Sequence, residues 1–262
     1  MTGQMKNLRK SALVVALASV LALGPAAMAS TAKAGANDAA IQAQVTEKLK
    51  QKSEFKDVQS TVENGTVTLT GSVETYKQKL DAEKLARKMD KQVQGVRDLI
   101  EVSADVPDAQ LQKKLATTLA YDRVGYGDNA FNVLTLDVHN GVVTLGGTMA
   151  SYPAYNDALS IAANTKGVKD VVNNMKVAPA SFTDDSLRRR LFLAIYGDAV
   201  LSRYGSDPAK PIRILVENGH IGLYGQVQNQ AEVNIAGIRA NQVFGGFSVE
   251  NHLTTTATDV VK

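Results

Sequence analysis

The three histidines, His139, His220 and His252, are the side chains best suited to metal binding or to proton transfer near neutral pH. No two of them have the spacing that places metal ligands on one helix face or across one hairpin. The chain has no Cys, which excludes a Cys nucleophile, a Cys-ligated metal, a disulfide and a lipid-modified Cys. It also has no Gly-x-Ser-x-Gly elbow and no P-loop. The sequence therefore predicts no catalytic residue, no metal site and no cofactor.

Two long connections combine tyrosine, glycine and aspartate with basic residues, at 121–131 and 196–211. Tyrosine rings beside basic side chains are suited to anionic lipid headgroups, and long loops on a compact scaffold often bind partners. The candidate lipid- or partner-binding residues are Tyr126, Arg203, Tyr204, Lys210 and Arg213. Alternatively, each Tyr covers the core of its own domain, Gly and Asp form turns, and the charges are solvated.

The elements that must position these residues occur three times. Each unit begins with an Asp (Asp38, Asp108 or Asp184), followed by apolar residues at offsets of 3, 7 and 11, which predicts one apolar stripe on a helix. An Asn-Gly pair flanked by alternating apolar residues then predicts a β-hairpin with a type I′ turn. A helix N-cap residue, a second helical stretch and a final strand-like run complete the unit.

The hairpin register follows from the turn. Residues pair symmetrically about each Asn-Gly, so that Val62 faces Val67 and Val138 faces Val143. The glycine six residues after each turn is expected to admit the second helix, and the glycine before the last strand is expected to end that helix at positive φ. The second helix of the first unit is predicted over 75–94, one turn longer than in the other units. The structural glycines are Gly65, Gly71, Gly95, Gly141, Gly147, Gly167, Gly219, Gly225 and Gly245.

The predicted fold class is α+β: three tandem α-β-β-α-β modules, each a small three-stranded mixed sheet covered by two helices. We place module 1 at 38–102, module 2 at 108–177 and module 3 at 184–255, with a tail at 256–262. The links between modules are short, so adjacent modules are expected to touch.

The hairpin phrase Asn-Gly-x-Val-x-Leu-x-Gly and the "GVKDVVNNMKV" ending of module 2 resemble the BON domain family, named for bacterial osmotically induced and nodulation proteins. The resemblance covers three tandem copies. It implies a periplasmic location, a role in envelope maintenance or osmotic stress, and interaction with phospholipid or protein rather than enzymatic chemistry. Module 3 departs from the pattern at Ile221, at Gly222 and at Phe247 after a doubled glycine, so the three binding surfaces are not expected to be equivalent.

The first residues resemble a secretory signal peptide, with basic residues at 6, 9 and 10, an apolar run to Leu23 and a small-x-small site ending at Ala29. We therefore predict a signal peptide at 1–29, a linker at 30–37, a periplasmic location without a lipid anchor, and no transmembrane segment after cleavage. The 29 Lys and Arg exceed the 26 Asp and Glu by the three bases of the signal peptide. Without it the net charge is near zero, which disfavours nucleic-acid binding.

These observations lead to two functional hypotheses. The first is a non-enzymatic periplasmic protein of envelope or osmotic stress, whose modules bind envelope phospholipids or periplasmic and outer-membrane proteins. The alternative is a soluble periplasmic chaperone-like or assembly factor for exported proteins, which would require contiguous exposed apolar surface.

Overall fold

The computed structural model describes residues 25–122 and 129–255, and within the first helix it describes side chains from Asn37 onward. Each module has the order helix, strand, strand, helix, strand. Module 1 contains α1 Pro25–Lys50, β1 Val58–Glu63, β2 Thr66–Val73, α2 Tyr76–Met89 and β3 Gly95–Val102. Module 2 contains α3 Asp108–Tyr121, β4 Val133–His139, β5 Val142–Met149, α4 Tyr152–Asn164 and β6 Asp170–Val177. Module 3 contains α5 Phe182–Tyr196, β7 Arg213–Glu217, β8 His220–Val227, α6 Gln230–Asn241 and β9 Ser248–Thr255.

The predicted fold class is confirmed. In each module the second strand is central, antiparallel to the first strand and parallel to the third, which makes a mixed three-stranded sheet. The second helix provides the connection between the two parallel strands, as a parallel pairing requires.

The hairpin register also agrees with the prediction. Val62 lies opposite Val67, and Val138 lies opposite Val143. The turn asparagines have φ of 50 to 52°, and the turn glycines have φ of 73 to 77°. Positive φ at both central positions is the requirement of a type I′ turn.

The predicted helix stripes supply the cores. Their side chains are buried in all three modules except for Leu119, which is partly buried in module 2. The first helix starts earlier than predicted, because α1 begins at Pro25 and includes 30–37, which were predicted to be a linker. That stretch is rich in alanine, the strongest helix former, and proline is tolerated in a first helical turn.

The predicted extra turn of the second helix in module 1 is wrong. Helix α2 ends at Met89, and Asp90 is extended with φ −141° and ψ 144°. The Asp90 carboxylate accepts the Gln92 amide at 2.8 Å, which is a local turn that competes with helix. The expectation for Gly95 is also wrong, because Gly95 begins β3 and is not among the positive-φ glycines, whereas Gly167 and Gly245 are.

The glycine late in each hairpin is required by the hairpin itself and not by the second helix. Gly71, Gly147 and Gly225 have φ of 107, 96 and 130°. A Cβ on Gly71 would overlap the carbonyl oxygen of Asp57, and one on Gly147 would overlap that of Val133. The close approach is therefore between the second strand of the hairpin and the backbone at the start of the first strand.

Adjacent modules touch, as the short links predicted. Tyr76 of module 1 packs against the core of module 2, where desolvation and a hydrogen bond with Asp170 raise the pKa of Tyr76 to about 12. Phe131 of module 2 packs against the core of module 3, with its ring centroid 5.9 Å from that of Phe192. Each joint thus inserts one aromatic side chain from the preceding module into the next.

Candidate functional site

Tyr204 was predicted to meet a membrane interface, but the structure buries it in module 3. Its hydroxyl donates to Glu232 Oε2 at 2.5 Å and accepts the Gln228 amide at 2.8 Å. Glu232 is itself buried and lies in the first turn of α6, where Asn229 caps its amide. A buried carboxylate needs partners, and Tyr204 is one of them. Tyr204 therefore covers the core of its own module, which was the alternative interpretation of the sequence.

Arg203 contacts the same buried carboxylate, Glu232. Its guanidinium forms an ion pair with Glu232, and its central carbon lies 5.4 Å from the centroid of the Tyr204 ring. Lys210 is exposed, and its amide closes a turn onto Asp207 O at 3.1 Å. Tyr204 therefore does not form an exposed patch with Arg203 and Lys210, because it is buried and its hydroxyl is bonded to Glu232.

Arg213 faces module 2 rather than solvent. Its Nη1 atom donates to the carbonyl oxygens of Asn129 and Asn132, each at 2.9 Å. Desolvation lowers the pKa of Arg213, and the nearby Tyr196 opposes that shift. Tyr126, the fifth candidate, lies outside the described residues.

A repeated carboxylate clamp, not predicted from the sequence, joins the first helix of each module to its turn. Asp184 accepts the amides of Asn218 and Gly219 at 2.8 and 2.9 Å. The corresponding carboxylates of modules 1 and 2 accept their turn amides at 2.7 to 2.9 Å. The signal was present in the sequence, since an Asp precedes each helical stripe by three residues. All three clamps serve the fold.

Among the described residues, three strongly exposed phenylalanines of module 3 lie on or beside α5 and the Asn-Gly turn. Phe182, Phe244 and Phe247 are 96%, 94% and 81% exposed, and we call these three residues the Phe tip. Exposed large apolar groups that share one corner mark an interaction surface more often than scattered single ones. In the sequence, the doubled glycine followed by Phe247 had already marked module 3 as different from modules 1 and 2.

The Phe tip is held by the turn of its own module. The Phe247 amide donates to Gly219 O at 2.8 Å, and its ring lies so close that a Cβ on Gly219 would be 2.6 Å from Phe247 Cδ2. Phe182 stands two residues before Asp184, which binds the same turn. Arg190 Nη2 donates to Phe244 O at 3.2 Å.

Two of these three positions are polar in the other modules. The residue whose amide donates to the turn glycine is Gln94 in module 1 and Lys169 in module 2, where module 3 has Phe247. Three positions earlier, where module 3 has Phe244, stand the exposed Lys91 and Lys166. The aromatic corner is thus specific to module 3 and is not a requirement of the shared fold.

Exposed charges of both signs lie on α5, the helix that begins at Phe182. Arg189 and Arg190 are exposed, while Arg188 is buried and donates to Val216 O at 2.6 Å. The nearby Asp185 accepts from Arg188 at 2.5 Å. The three consecutive arginines therefore have different surroundings, because successive residues of a helix point in different directions.

The three tandem modules match the model of a known family. The BON domain model matches residues 37–104, 107–179 and 198–257, which together are most of the chain. This chain belongs to the BON domain family. The third match begins after α5, although α5 buries its stripe in the module 3 core. The first helix of module 3 therefore lies outside the family match, although it packs in its module as the first helices of modules 1 and 2 do.

Among individual proteins, an uncharacterised protein from the gshII 5′ region of Anaplasma centrale is 26% identical over 151 residues, covering 54% of this chain and 95% of that protein. The type III secretion protein CdsD of Chlamydia trachomatis is 14% identical with a TM-score of 0.23, covering 81% of this chain and 90% of that one. The periplasmic domain of PrgH from S. typhimurium is 13% identical with a TM-score of 0.20, covering 81% of this chain and 100% of that one. The family assignment is based on the three BON domain matches.

Within residues 25–122 and 129–255, no three His, Asp or Glu side chains come together as a metal-binding group. His252 stacks on Tyr224 with ring centroids 4.8 Å apart, and His220 lies 2.8 Å from Ser248 Oγ. No helix in the described part of the chain is both long and apolar enough to cross a membrane.

Proposed function

We propose that this BON domain protein is a non-enzymatic, exported envelope protein that binds the surface of phospholipid membranes through the Phe tip of module 3. The observation that carries the proposal is the replacement of two polar positions by Phe244 and Phe247 at a corner that modules 1 and 2 keep as Lys and Gln. The signal-peptide pattern of the first residues supports export.

The chemistry of the corner fits an anionic bilayer surface. Burying a Phe side chain fully contributes about 1.5–3 kcal/mol, and ring insertion at an interface recovers part of this. Each Arg near an anionic surface contributes about 1 kcal/mol. Three rings with Arg189 and Arg190 thus support reversible binding, weaker than the insertion of a spanning helix.

The test is co-sedimentation of the full chain without residues 1–29, using phosphatidylcholine vesicles with and without phosphatidylglycerol. Two substitutions at one position separate apolar from charged contributions. Phe247→Gln introduces the residue of module 1, and Phe247→Lys introduces that of module 2, so both fit the turn beneath them. On neutral vesicles both should weaken binding by about tenfold, which is the loss of about 1.4 kcal/mol. On anionic vesicles Phe247→Lys should bind about fivefold more tightly than Phe247→Gln, since one Lys contributes about 1 kcal/mol there.

A wild-type protein that does not sediment with anionic vesicles at low salt would refute the proposal. So would two variants that bind as well as the wild type. Suppression of client-protein aggregation by the wild type without lipid, reduced in both variants, would instead assign the Phe tip to the chaperone-like alternative. Circular dichroism of the wild type and the two variants checks that each is folded. Only then can a loss of vesicle binding or of aggregation suppression be assigned to the Phe tip.

A further inference from the structure

The Asn-Gly turn of module 2, Asn140 and Gly141, contains a reactive pair of groups. In such a dipeptide the backbone nitrogen of the glycine can attack the side-chain carbonyl carbon of the asparagine, because glycine has no side chain to block the approach. The new N–C bond closes a five-membered imide, and the side-chain nitrogen leaves as ammonia with the former amide proton. Water then opens the imide at either carbonyl, which leaves aspartate or isoaspartate in place of asparagine.

The native turn keeps the two reacting groups apart. Asn140 has φ 52° and Gly141 has φ 76°. A type I′ turn holds ψ of its first central residue near about 30°, which directs an L side chain away from the following nitrogen. Ring closure needs the side chain and that nitrogen on the same side of the Cα–C bond. Asn140 can therefore react only after the turn has opened.

The Asp108 carboxylate holds this turn closed. It accepts the amides of Asn140 and Gly141 at 2.7 and 2.9 Å, and the second of these is the nitrogen that would attack. The flexible side chain of Lys169 lies over Gly141, while Asn140 is exposed to water. The rate of the reaction in the folded protein therefore depends on the fraction of molecules in which the turn is locally open.

Module 3 has the same dipeptide behind a more buried clamp. Asp184 is only 3% exposed, its bond to the Gly219 amide is buried, and the Phe247 ring lies over that glycine. In module 2 Asp108 is partly exposed and its bond to the Asn140 amide is exposed, so water competes for it. A hydrogen bond is electrostatically stronger in a buried site. The turn of module 2 should therefore open more often than that of module 3.

The contacts that decide this comparison all join described residues. The described part of α3 ends at the opposite end of the helix from Asp108, about 21 Å along the axis. The described part of β9 ends at Thr255, beside Val227, whereas the turn of module 3 adjoins the other end of β8. The turn of module 1 adjoins Asn37, where the described side chains begin, so modules 2 and 3 give the clearer comparison.

We propose that Asn140 is a site of spontaneous deamidation, and that the Asp108 clamp sets the rate by controlling how often the turn opens. Isoaspartate at this position adds a methylene to the main chain of a two-residue turn, which then no longer has the type I′ geometry that pairs β4 with β5. Either product adds a negative charge to the turn. The site is separate from the Phe tip and does not depend on membrane binding.

The test uses the full chain without residues 1–29, incubated in buffer at mildly alkaline pH. Peptide mapping by mass spectrometry gives the rate of modification at each asparagine, and chromatography separates isoaspartate peptides from aspartate peptides. In the wild type, Asn140 should be modified at least about tenfold faster than Asn218. This ranking needs no variant to fold. A rate at Asn140 equal to or below that at Asn218 would overturn the proposal.

Two matched variants assign the protection to the clamps. Asp108→Asn should accelerate the modification of Asn140 about tenfold and leave the rate at Asn218 unchanged. Asp184→Asn should accelerate the modification of Asn218 about thirtyfold and leave the rate at Asn140 unchanged, because the buried clamp is the stronger one. Each variant thus contains its own control against global unfolding. An unchanged rate at Asn140 in Asp108→Asn, or equal acceleration at both asparagines, would show that the clamp does not set the rate.

Discussion

The Asp184 clamp should stabilise the Asn-Gly turn of module 3. Its carboxylate binds the amides of Asn218 and Gly219, and both Asp184 and the bond to Gly219 are buried. Asp184→Asn keeps the shape but offers a single oxygen, so the side-chain NH₂ must face one of the two backbone N–H groups. Losing one hydrogen bond to a charged acceptor costs about 2 kcal/mol. The turn of module 3 should therefore open more readily by about that free energy.

Amide hydrogen exchange measured by NMR reports this opening directly. At 1.4 kcal/mol per tenfold change, the Gly219 amide should exchange about thirtyfold faster in Asp184→Asn. The amides of Gly65 and Gly141, held by their own aspartates, serve as internal controls and should not change. A Gly219 rate within twofold of the wild type would refute the clamp as a stabilising contact.

The clamp of module 2 adds a pH dependence. The amides of Gly141 and Asn140 hold the pKa of Asp108 below its ordinary value. A carboxyl whose pKa is lowered on folding stabilises the fold above its unfolded pKa, and the contribution is lost as the pH falls through the folded pKa. The effect of Asp108→Asn on Gly141 exchange should therefore be full at pH 7 and disappear in acid. A difference that persists unchanged at the lowest pH would contradict the charge argument.

Two further substitutions test the corrections to the sequence prediction. Gly71→Ala should destabilise module 1 by at least about 2 kcal/mol, because alanine at φ 107° is strained and its Cβ meets the Asp57 carbonyl. Gly95→Ala should change the stability by less than about 0.5 kcal/mol, because the nearest atom to the new Cβ is Thr66 Cγ2 at 4.0 Å. Exchange of the β1 and β2 amides in both proteins checks this, and equal effects would contradict the assigned role. Tyr204→Phe removes the hydroxyl that bonds the Gln228 amide and the buried Glu232 carboxylate. The free energy of unfolding, measured in urea, should fall by about 1–3 kcal/mol. An unfolding midpoint equal to that of the wild type would contradict a stabilising role for this hydroxyl.

The fold was readable from the sequence because its signals are local. The two positive-φ residues of each Asn-Gly turn fix the register, and the register decides which side chains share a face. The helix stripes follow from a spacing of 3.6 residues per turn. Three repetitions of the same pattern made the module topology and the family resemblance visible without any tertiary contact.

The candidate site could not be read in the same way, because burial of a loop side chain depends on what else fills the space. Tyr204 turns inward because Glu232, 28 residues later, is buried and needs a hydroxyl and a cation. Phe131 packs on Phe192 of module 3 rather than in the core of its own module.

The sequence alone determined the modules, the turns and the register, since these depend on residues close together in the chain. Only the tertiary structure decided that the Tyr204 loop is core and that Phe244 and Phe247 are surface. Both are aromatic residues beside glycine, so their local chemistry is similar. The difference arises because the Tyr204 hydroxyl has a buried partner in Glu232, whereas the Phe247 ring lies exposed over Gly219, whose missing side chain leaves space for it.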